Sequence, residues 1–386
     1  MTPAAQSTAP VATPSRAATA AARLRRAGEV SAEHGVDVLL VTPGTDLQYL
    51  LGLEGESHER LTCLVLPASG HLAPPALVVP ALEAPKLAGL ALDELGVEVV
   101  TWTDSEDPYR LVDDLAGGPA HAAVADTMPA VHVFGLRDAF GDVHQSLAGP
   151  VLRELRMRKD AAEVAELRAA GAAIDRVHAR MAEFLRAGRT EDEAGAAIAA
   201  AIVEEGHTAA AFVIVGSGPN GASPHHDLSD RVIGAGEPVV VDIGGTTAAG
   251  YCSDCTRNYV AGAAAPDEYV DYFAVLAAAQ RAQRDYARPG VSAESVDRTG
   301  RAIITEAGLG EAFLHRTGHG IGLETHEEPY IVEGNSLLLE PGMAFSIEPG
   351  IYLPGRHGAR IEDIVVVTDD GVEVLNSTSR GLVHLH

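Results

Sequence analysis

The sequence predicts an α+β protein of two domains, from its length, a change of texture near residue 150 and the periods of its apolar residues. At 386 residues the chain exceeds the usual span of a single hydrophobic core. Up to about residue 145, short apolar runs alternate with helical stretches, the pattern of an α/β layer structure. Beyond it, long helices stand among apolar strands separated by Gly-rich turns, which predicts helices packed on antiparallel sheet.

Residues 1–18, rich in Ala, Thr, Ser and Pro, are expected to be a disordered tail without the apolar core of a signal peptide. An α/β domain then covers 19–149. It begins with a helix over 20–33 and a strand over 36–41, closed by Thr42-Pro43-Gly44. Further strands are expected at 61–66, 76–79, 97–102 and 121–125, with helices over 81–95 and 107–115. The boundary falls in 150–159, and a second domain fills 150–386. Its first helix spans 160–186 and is ended by Gly188. Its second starts at the capping box Thr190-Glu191-Asp192-Glu193, and two more cover about 266–286 and 292–307.

Composition excludes several classes. Lys and Arg total 28 against 54 Asp and Glu, a net charge of −26 that repels nucleic acid and anionic membrane. No apolar run approaches the ~18–20 residues of a membrane span. Three cysteines cannot build a disulfide framework, which implies a reducing, cytoplasmic setting.

Four carboxylates stand where apolar residues are expected. Asp242 ends the run Val239-Val240-Val241, and Asp254 follows a Gly-rich turn. Glu348 follows Phe345-Ser346-Ile347, and Glu362 precedes Asp363-Ile364-Val365-Val366-Val367. The pattern predicts two matching hairpins, each with one carboxylate late in its first strand and another in its returning strand. A buried ionised carboxylate costs several kcal/mol unless a cation or proton compensates it. One such residue would be a salt bridge to Arg257 or Arg360; four together point to a metal site. Between the hairpins, His315, His319 and His326 lie among glycines that permit close backbone approach. Their spacing is not the His-Glu-x-x-His of helical zinc sites, since Pro329 follows His326-Glu327-Glu328.

The glycines before Pro224-His225-His226 are not a phosphate loop, because no Gly-Lys-Ser/Thr follows. Cys252 and Cys255, three apart on a strand, diverge to opposite faces. Cys252 shares a face with Asp254, so thiol reagents are expected to inhibit the protein.

Six strings carry a resemblance: Asp242-Ile243-Gly244, Ser253-Asp254-Cys255-Thr256-Arg257, Gly318-His319-Gly320-Ile321-Gly322, His326-Glu327-Glu328-Pro329, Ile347-Glu348-Pro349-Gly350 and Arg360-Ile361-Glu362-Asp363. Over 150–386 the chain resembles the pita-bread metallopeptidases, which include methionine aminopeptidase, aminopeptidase P and prolidase. The resemblance implies that Asp242 chelates one metal, Asp254 and Glu362 bridge both, and His319 and Glu348 complete the other. Four carboxylates balance two divalent ions, Mn²⁺ by ligand type, with Co²⁺ or Zn²⁺ as alternatives.

Residues 20–145 resemble the smaller, ribonuclease H-like amino-terminal domain of creatinase, aminopeptidase P and prolidase, which methionine aminopeptidases lack. Together these imply a cytoplasmic, homodimeric Xaa-Pro peptidase acting on peptides with proline in second position. In such enzymes a hydroxide bridging both metals attacks the bond before proline. Glu348 would shuttle the proton, and His225 and His326 would stabilise the carbonyl and its tetrahedral intermediate, with His226 as the alternative to His225. His315, His326, Tyr330 and Arg360 would bind substrate. Many prolidases carry arginine where this chain has Tyr330, which leaves dipeptidase and aminopeptidase P-like action on longer peptides both open. Asn258 replaces a usual threonine at a position that is not a ligand. A creatinase-like hydrolase of a small metabolite and a non-catalytic binding protein share the fold; the intact ligand set favours the peptidase.

Overall fold

The computed structural model describes residues 15–71 and 73–385 and divides into two units, Met1–Leu155 and Arg156–His386. Residues 1–14 of the expected tail lie outside the described residues.

In the first unit the helix Arg16–Glu33 starts earlier than expected, because Ser15 Oγ accepts from Ala18 N and caps it. A six-stranded mixed sheet follows, in the order Glu98–Trp102, Ala76–Pro80, Cys63–Pro67, Val38–Val41, His121–Val124, His144–Leu147. The central strand Val38–Val41 is buried at every residue, as its unbroken apolar sequence requires. It pairs antiparallel with Cys63–Pro67 and parallel with His121–Val124.

The helix expected over 81–95 is absent: only the 3₁₀ turn Ala84–Leu87 forms. Pro85 removes a backbone donor, and Gly89 takes a left-handed φ of 96°. Helices Thr45–Leu51, Ala130–Phe140 and Gly149–Met157 and strand His144–Leu147 were not expected. The last helix occupies most of the segment expected to be the boundary, and the division between units falls within it.

The second unit holds two larger sheets. One has the order Val383–Leu385, Cys255–Ala261, Pro238–Thr246, Ala209–Ser217; the other runs Glu327–Ile331, Gly318–Gly320, Ala344–Ile347, Asp363–Val367, Val372–Val374. A two-stranded ribbon, Gly350–Leu353 with His357–Arg360, lies in sequence between the last pair of carboxylate-bearing segments. The first helix of this unit is Ala161–Ala179, shorter than the expected 160–186, and a separate turn Met181–Phe184 follows. Helix Glu191–Glu204 carries the expected box, Thr190 with Glu193.

Strand alternation sorts the side chains of the first sheet. Val239, Val241 and Ile243 pack with Ile174, Val177, Ile198 and Ile202 of the helices, which turns Asp242 to the opposite face. Cys255, Tyr259 and Ala261 join the same core, so Thr256 and Asn258 share the face of Asp242. In the second sheet Phe345, Ile347, Val365 and Val367 pack with Val296 and Ala293, and Ser346 faces away. Helices Asp267–Tyr286 and Ala293–Glu306 complete that side.

The carboxylates are placed differently from the expected hairpins. Asp242 lies within its strand, but Asp254, Glu348 and Glu362 lie just outside strand ends. There the backbone is released from the ladder and can aim the side chain. Gly318 and Gly320 flank His319 because a Cβ at either would collide with the carbonyl of Ser346 or Glu328.

Candidate active site

A cavity of about 1260 Å³ opens in the second unit. Asp242, Asp254, His319, Glu348 and Glu362 all line it, with His225, His226, His315, His326, Arg316 and Arg360. Phe212, Val213, Ile214 and Leu228 supply an apolar wall, and Ile214 is the cross-strand neighbour of Asp242. Tyr330 does not line it.

Ligand atoms of Asp254, His319 and Glu362 lie within 4.8 Å of one another, and all three residues are buried. Asp242 Oδ1, Asp254 Oδ1 and Glu362 Oε1 are buried without a hydrogen-bond partner among the described residues. An orphaned acceptor of this kind costs a full desolvation penalty, so three in one cluster mark a place for cations. The remaining oxygens are held: Glu362 Oε2 accepts from Thr256 Oγ1 at 2.7 Å, and Glu348 Oε1 from Ser346 Oγ at 2.9 Å. Thr256 and Ser346 were not singled out from the sequence, although each sits two residues from a flagged carboxylate, Asp254 or Glu348.

His319 has the geometry of a metal ligand. Its Nδ1 lies 3.1 Å from the carbonyl of Gly320 and donates to it, which spends the single N–H of a neutral imidazole. Nε2 then turns its lone pair toward Glu348 Oε1 at 3.0 Å and Asp254 Oδ2 at 3.7 Å. These atoms hold a positive charge between them: a proton on Nε2, which then hydrogen-bonds Glu348, in metal-free protein, and a metal ion once one is bound.

The carboxyls divide electrostatically. Burial, then the charges of Glu362, Asp242 and Glu348, holds Asp254 well above the usual carboxylate range. Burial and the charges of Glu348 and Asp242 do the same for Glu362, against the opposing effect of Arg360 and Thr256. Burial would also raise Glu348, but the hydrogen bond and charge of His319, with His315 and Arg360, outweigh it and bring Glu348 down to about 2. The first two carboxyls therefore retain protons unless cations replace them.

Arg360 is committed to the site's framework. Its Nη2 donates to Asp242 Oδ2 at 2.6 Å, Nη1 to Tyr352 Oη at 2.7 Å and Nε to Thr256 Oγ1 at 3.1 Å. All three nitrogens of Arg360, which was expected to bind substrate, are engaged by protein groups. His315 is similarly occupied: Nδ1 bonds the carbonyl of Arg316 at 2.7 Å and Nε2 the hydroxyl of Tyr352 at 2.8 Å. Tyr352, which sequence reasoning missed, joins the two.

His326 packs edge-on against His319 with ring centroids 4.1 Å apart. Burial, then the neighbouring charge of His319, lowers its pKa to about 4, so it is neutral at pH 7. Of the two adjacent histidines, His226 is tied to Glu191 Oε2 at 2.8 Å, whereas among the described residues no hydrogen bond occupies the exposed His225. Glu191 anchors the whole turn, accepting also from Ser217, Asn220 and Ser229.

Cys252 and Cys255 are free and buried. Burial raises the pKa of both thiols, and Cys252 packs with Leu167, Tyr251 and Ile321. The expected sensitivity to thiol reagents therefore loses its physical basis, since a buried neutral thiol is a poor nucleophile. Asn258, given no role from the sequence, donates to the carbonyl of Arg360 and accepts from Tyr269.

Comparison with known proteins places the chain in a family. Residues 165–369 match metallopeptidase family M24, and 23–158 match the creatinase/prolidase N-terminal domain. The chain is 56% identical over 365 residues to a Mycobacterium tuberculosis protein named "Probable dipeptidase PepE", covering 94% of this chain and 96% of that one. It is 36% identical over 358 residues to the Xaa-Pro dipeptidase of Lactobacillus delbrueckii subsp. lactis, covering 91% and 95%. The crystal structure of dipeptidase PepE from Mycobacterium ulcerans superposes with a TM-score of 0.91 at 54% identity, covering 96% of this chain and 99% of the other. With both domains matched and a donor set suited to metal, the chain belongs to the M24 metallopeptidases that carry a creatinase/prolidase N-terminal domain.

Proposed function

We propose that the protein is a metal-dependent Xaa-Pro dipeptidase, hydrolysing the bond before a C-terminal proline. The observation that carries this reading is the convergence of three unpartnered buried carboxylate oxygens with the Nε2 lone pair of His319 in one cavity. Asp242, Asp254, His319, Glu348 and Glu362 would hold two divalent ions, whose charge balances the four carboxylates. The oxygen-rich set with one imidazole suits Mn²⁺. When bound, such ions lower the pKa of water and polarise the scissile carbonyl.

The chain's own residues do the rest. Glu348 has Oε1 engaged by Ser346, and its Oε2 takes a proton from the attacking water and returns it to the proline nitrogen. His326, neutral at pH 7, donates a ring N–H to the carbonyl oxygen as negative charge develops. His225, untied to protein, serves the same oxygen or the intermediate. The apolar wall of Phe212, Val213 and Ile214 excludes water and receives the substrate's side chains. Proline's nitrogen has no N–H when acylated, so the site needs no acceptor for it. The names of the relatives, dipeptidase and Xaa-Pro dipeptidase, support the dipeptide reading.

The net charge of −26 supports a protein that binds neither nucleic acid nor anionic membrane, and no described helix is long and apolar enough to cross a membrane. A cytoplasmic homodimer completes the proposal. The test is turnover of Ala-Pro, Gly-Pro, Ala-Ala and a tripeptide Xaa-Pro-Xaa by Mn²⁺-loaded protein. Preference for the two proline dipeptides is expected. Absence of turnover on all four overturns the reading, and cleavage of the tripeptide alone replaces it with an aminopeptidase P-like one.

A further inference from the structure

Two guanidinium groups line the cavity, and they differ in what they touch. Arg360 spends all its nitrogens on Asp242, Tyr352 and Thr256. Arg316 is half-buried, and among the described residues its side chain has neither a hydrogen bond nor an ion pair. It is nevertheless held in place. Its guanidinium carbon lies 4.3 Å from the ring centroid of Tyr330. Its carbonyl accepts from His315 Nδ1 at 2.7 Å, and the carbonyl of His315 accepts from Arg301 Nη2 at 2.8 Å.

A guanidinium over an aromatic face is fixed in position while its N–H groups remain open for an acceptor. Arginine presents those donors as a fork that matches a carboxylate. An ordered cation without a protein counter-ion, in a cavity built for a small substrate, calls for an anion that arrives with that substrate. In an Xaa-Pro dipeptide that anion is the carboxylate on proline. In a longer peptide it is farther from the scissile bond and proline carries a neutral amide instead.

We propose that Arg316, oriented on the ring of Tyr330, binds the C-terminal carboxylate of the substrate and thereby selects dipeptides over longer peptides. The inference rests on the Xaa-Pro reading above. It gives Tyr330, which does not reach the cavity, a positioning role exerted through Arg316, and it gives His315 one through the backbone of Arg316.

The test compares wild type, Arg316→Gln, Arg316→Lys and Tyr330→Ala, all Mn²⁺-loaded, on Ala-Pro and Ala-Pro amide. Arg316→Gln is expected to raise KM for Ala-Pro about 10- to 100-fold, the loss of one charge-assisted pair, with a far smaller change in kcat. Its KM for the amide should stay at the wild-type value. Arg316→Lys should fall between, and Tyr330→Ala should raise KM for Ala-Pro but not for the amide. Equal losses on both substrates, or no change on either, overturn the proposal. Calorimetric binding of L-proline and L-prolinamide to the same proteins separates this from the functional reading. If wild type hydrolyses neither peptide, the Xaa-Pro reading fails. Selective loss of L-proline binding in Arg316→Gln would still support the carboxylate site, and unchanged binding would overturn it.

Discussion

Arg360 and Asp242 form a buried ion pair, Nη2 to Oδ2 at 2.6 Å, while Asp242 Oδ1 stays without a partner. The pair orients one oxygen of Asp242 and leaves the other for a ligand, as a hydrogen-bonded support does for a metal-binding carboxylate. Replacing Arg360 with Met removes the partner of Asp242 and a donor to Tyr352 together. About 3–5 kcal/mol of stability is expected to be lost in metal-stripped protein. Metal affinity should fall about 10- to 100-fold. Urea unfolding and metal titration check both; wild-type values in either would contradict the role given to Arg360.

Asp254 and Glu362 are held well above the usual carboxylate range by burial first and then by neighbouring carboxylates. Both tend to carry protons in stripped protein, and cations must displace them. Addition of Mn²⁺ near neutral pH is therefore expected to release protons. Calorimetry in buffers of different ionisation enthalpy reads the number directly. Metal uptake with no proton release would contradict this electrostatic account.

His178 is buried between Tyr259, whose hydroxyl lies 2.8 Å from Nδ1, and the carbonyl of Cys255. Burial, then the charge of Arg257, lowers its pKa from 6.5 to about 3. Between those values the unfolded chain binds the extra proton. The stability contributed is thus complete above pH 6.5 and is lost as pH falls toward 3, at ~1.4 kcal/mol per pH unit. His178→Gln should flatten the difference between unfolding midpoints at pH 7 and 5. An unchanged difference would rule out His178 as its source.

Glu191 begins a helix yet is fully buried, and its carboxylate gathers Ser217, Asn220, His226 and Ser229. These bonds fix the turn that brings His225 to the cavity. Glu191→Gln replaces one acceptor oxygen with a donor that faces other donors. A loss of about 1–3 kcal/mol is expected from unfolding curves, with a fall in kcat/KM on Ala-Pro. Full activity would show that the turn does not depend on Glu191.

The site's carboxylates were legible in the sequence because ionisable groups in apolar strings violate the pattern that burial imposes. Asp242, Asp254, His319, Glu348 and Glu362 do line one cavity. Less legible were groups whose work depends on tertiary pairing. Nothing local distinguishes Tyr352 or Thr256, which acquire their roles only when the ribbon and the first sheet bring them to Arg360. Arg316 stood in a string already noted for its histidines, but its isolation from acids is a property of the folded cavity. In the first unit, the apolar period over 81–95 suggested a helix that Pro85 and Gly89 prevent, so local breakers outweighed periodicity.

On this proposal, two divalent ions on these five residues make the protein a proline dipeptidase. The most direct test is mass-spectrometric metal counting on loaded wild type, Asp254→Asn and Glu362→Gln, beside Ala-Pro hydrolysis by each. Two ions per wild-type chain are expected, fewer in both variants, with a loss of hydrolysis that follows the loss of metal. Undiminished hydrolysis by stripped protein, or a full metal complement in both variants, would contradict the proposal.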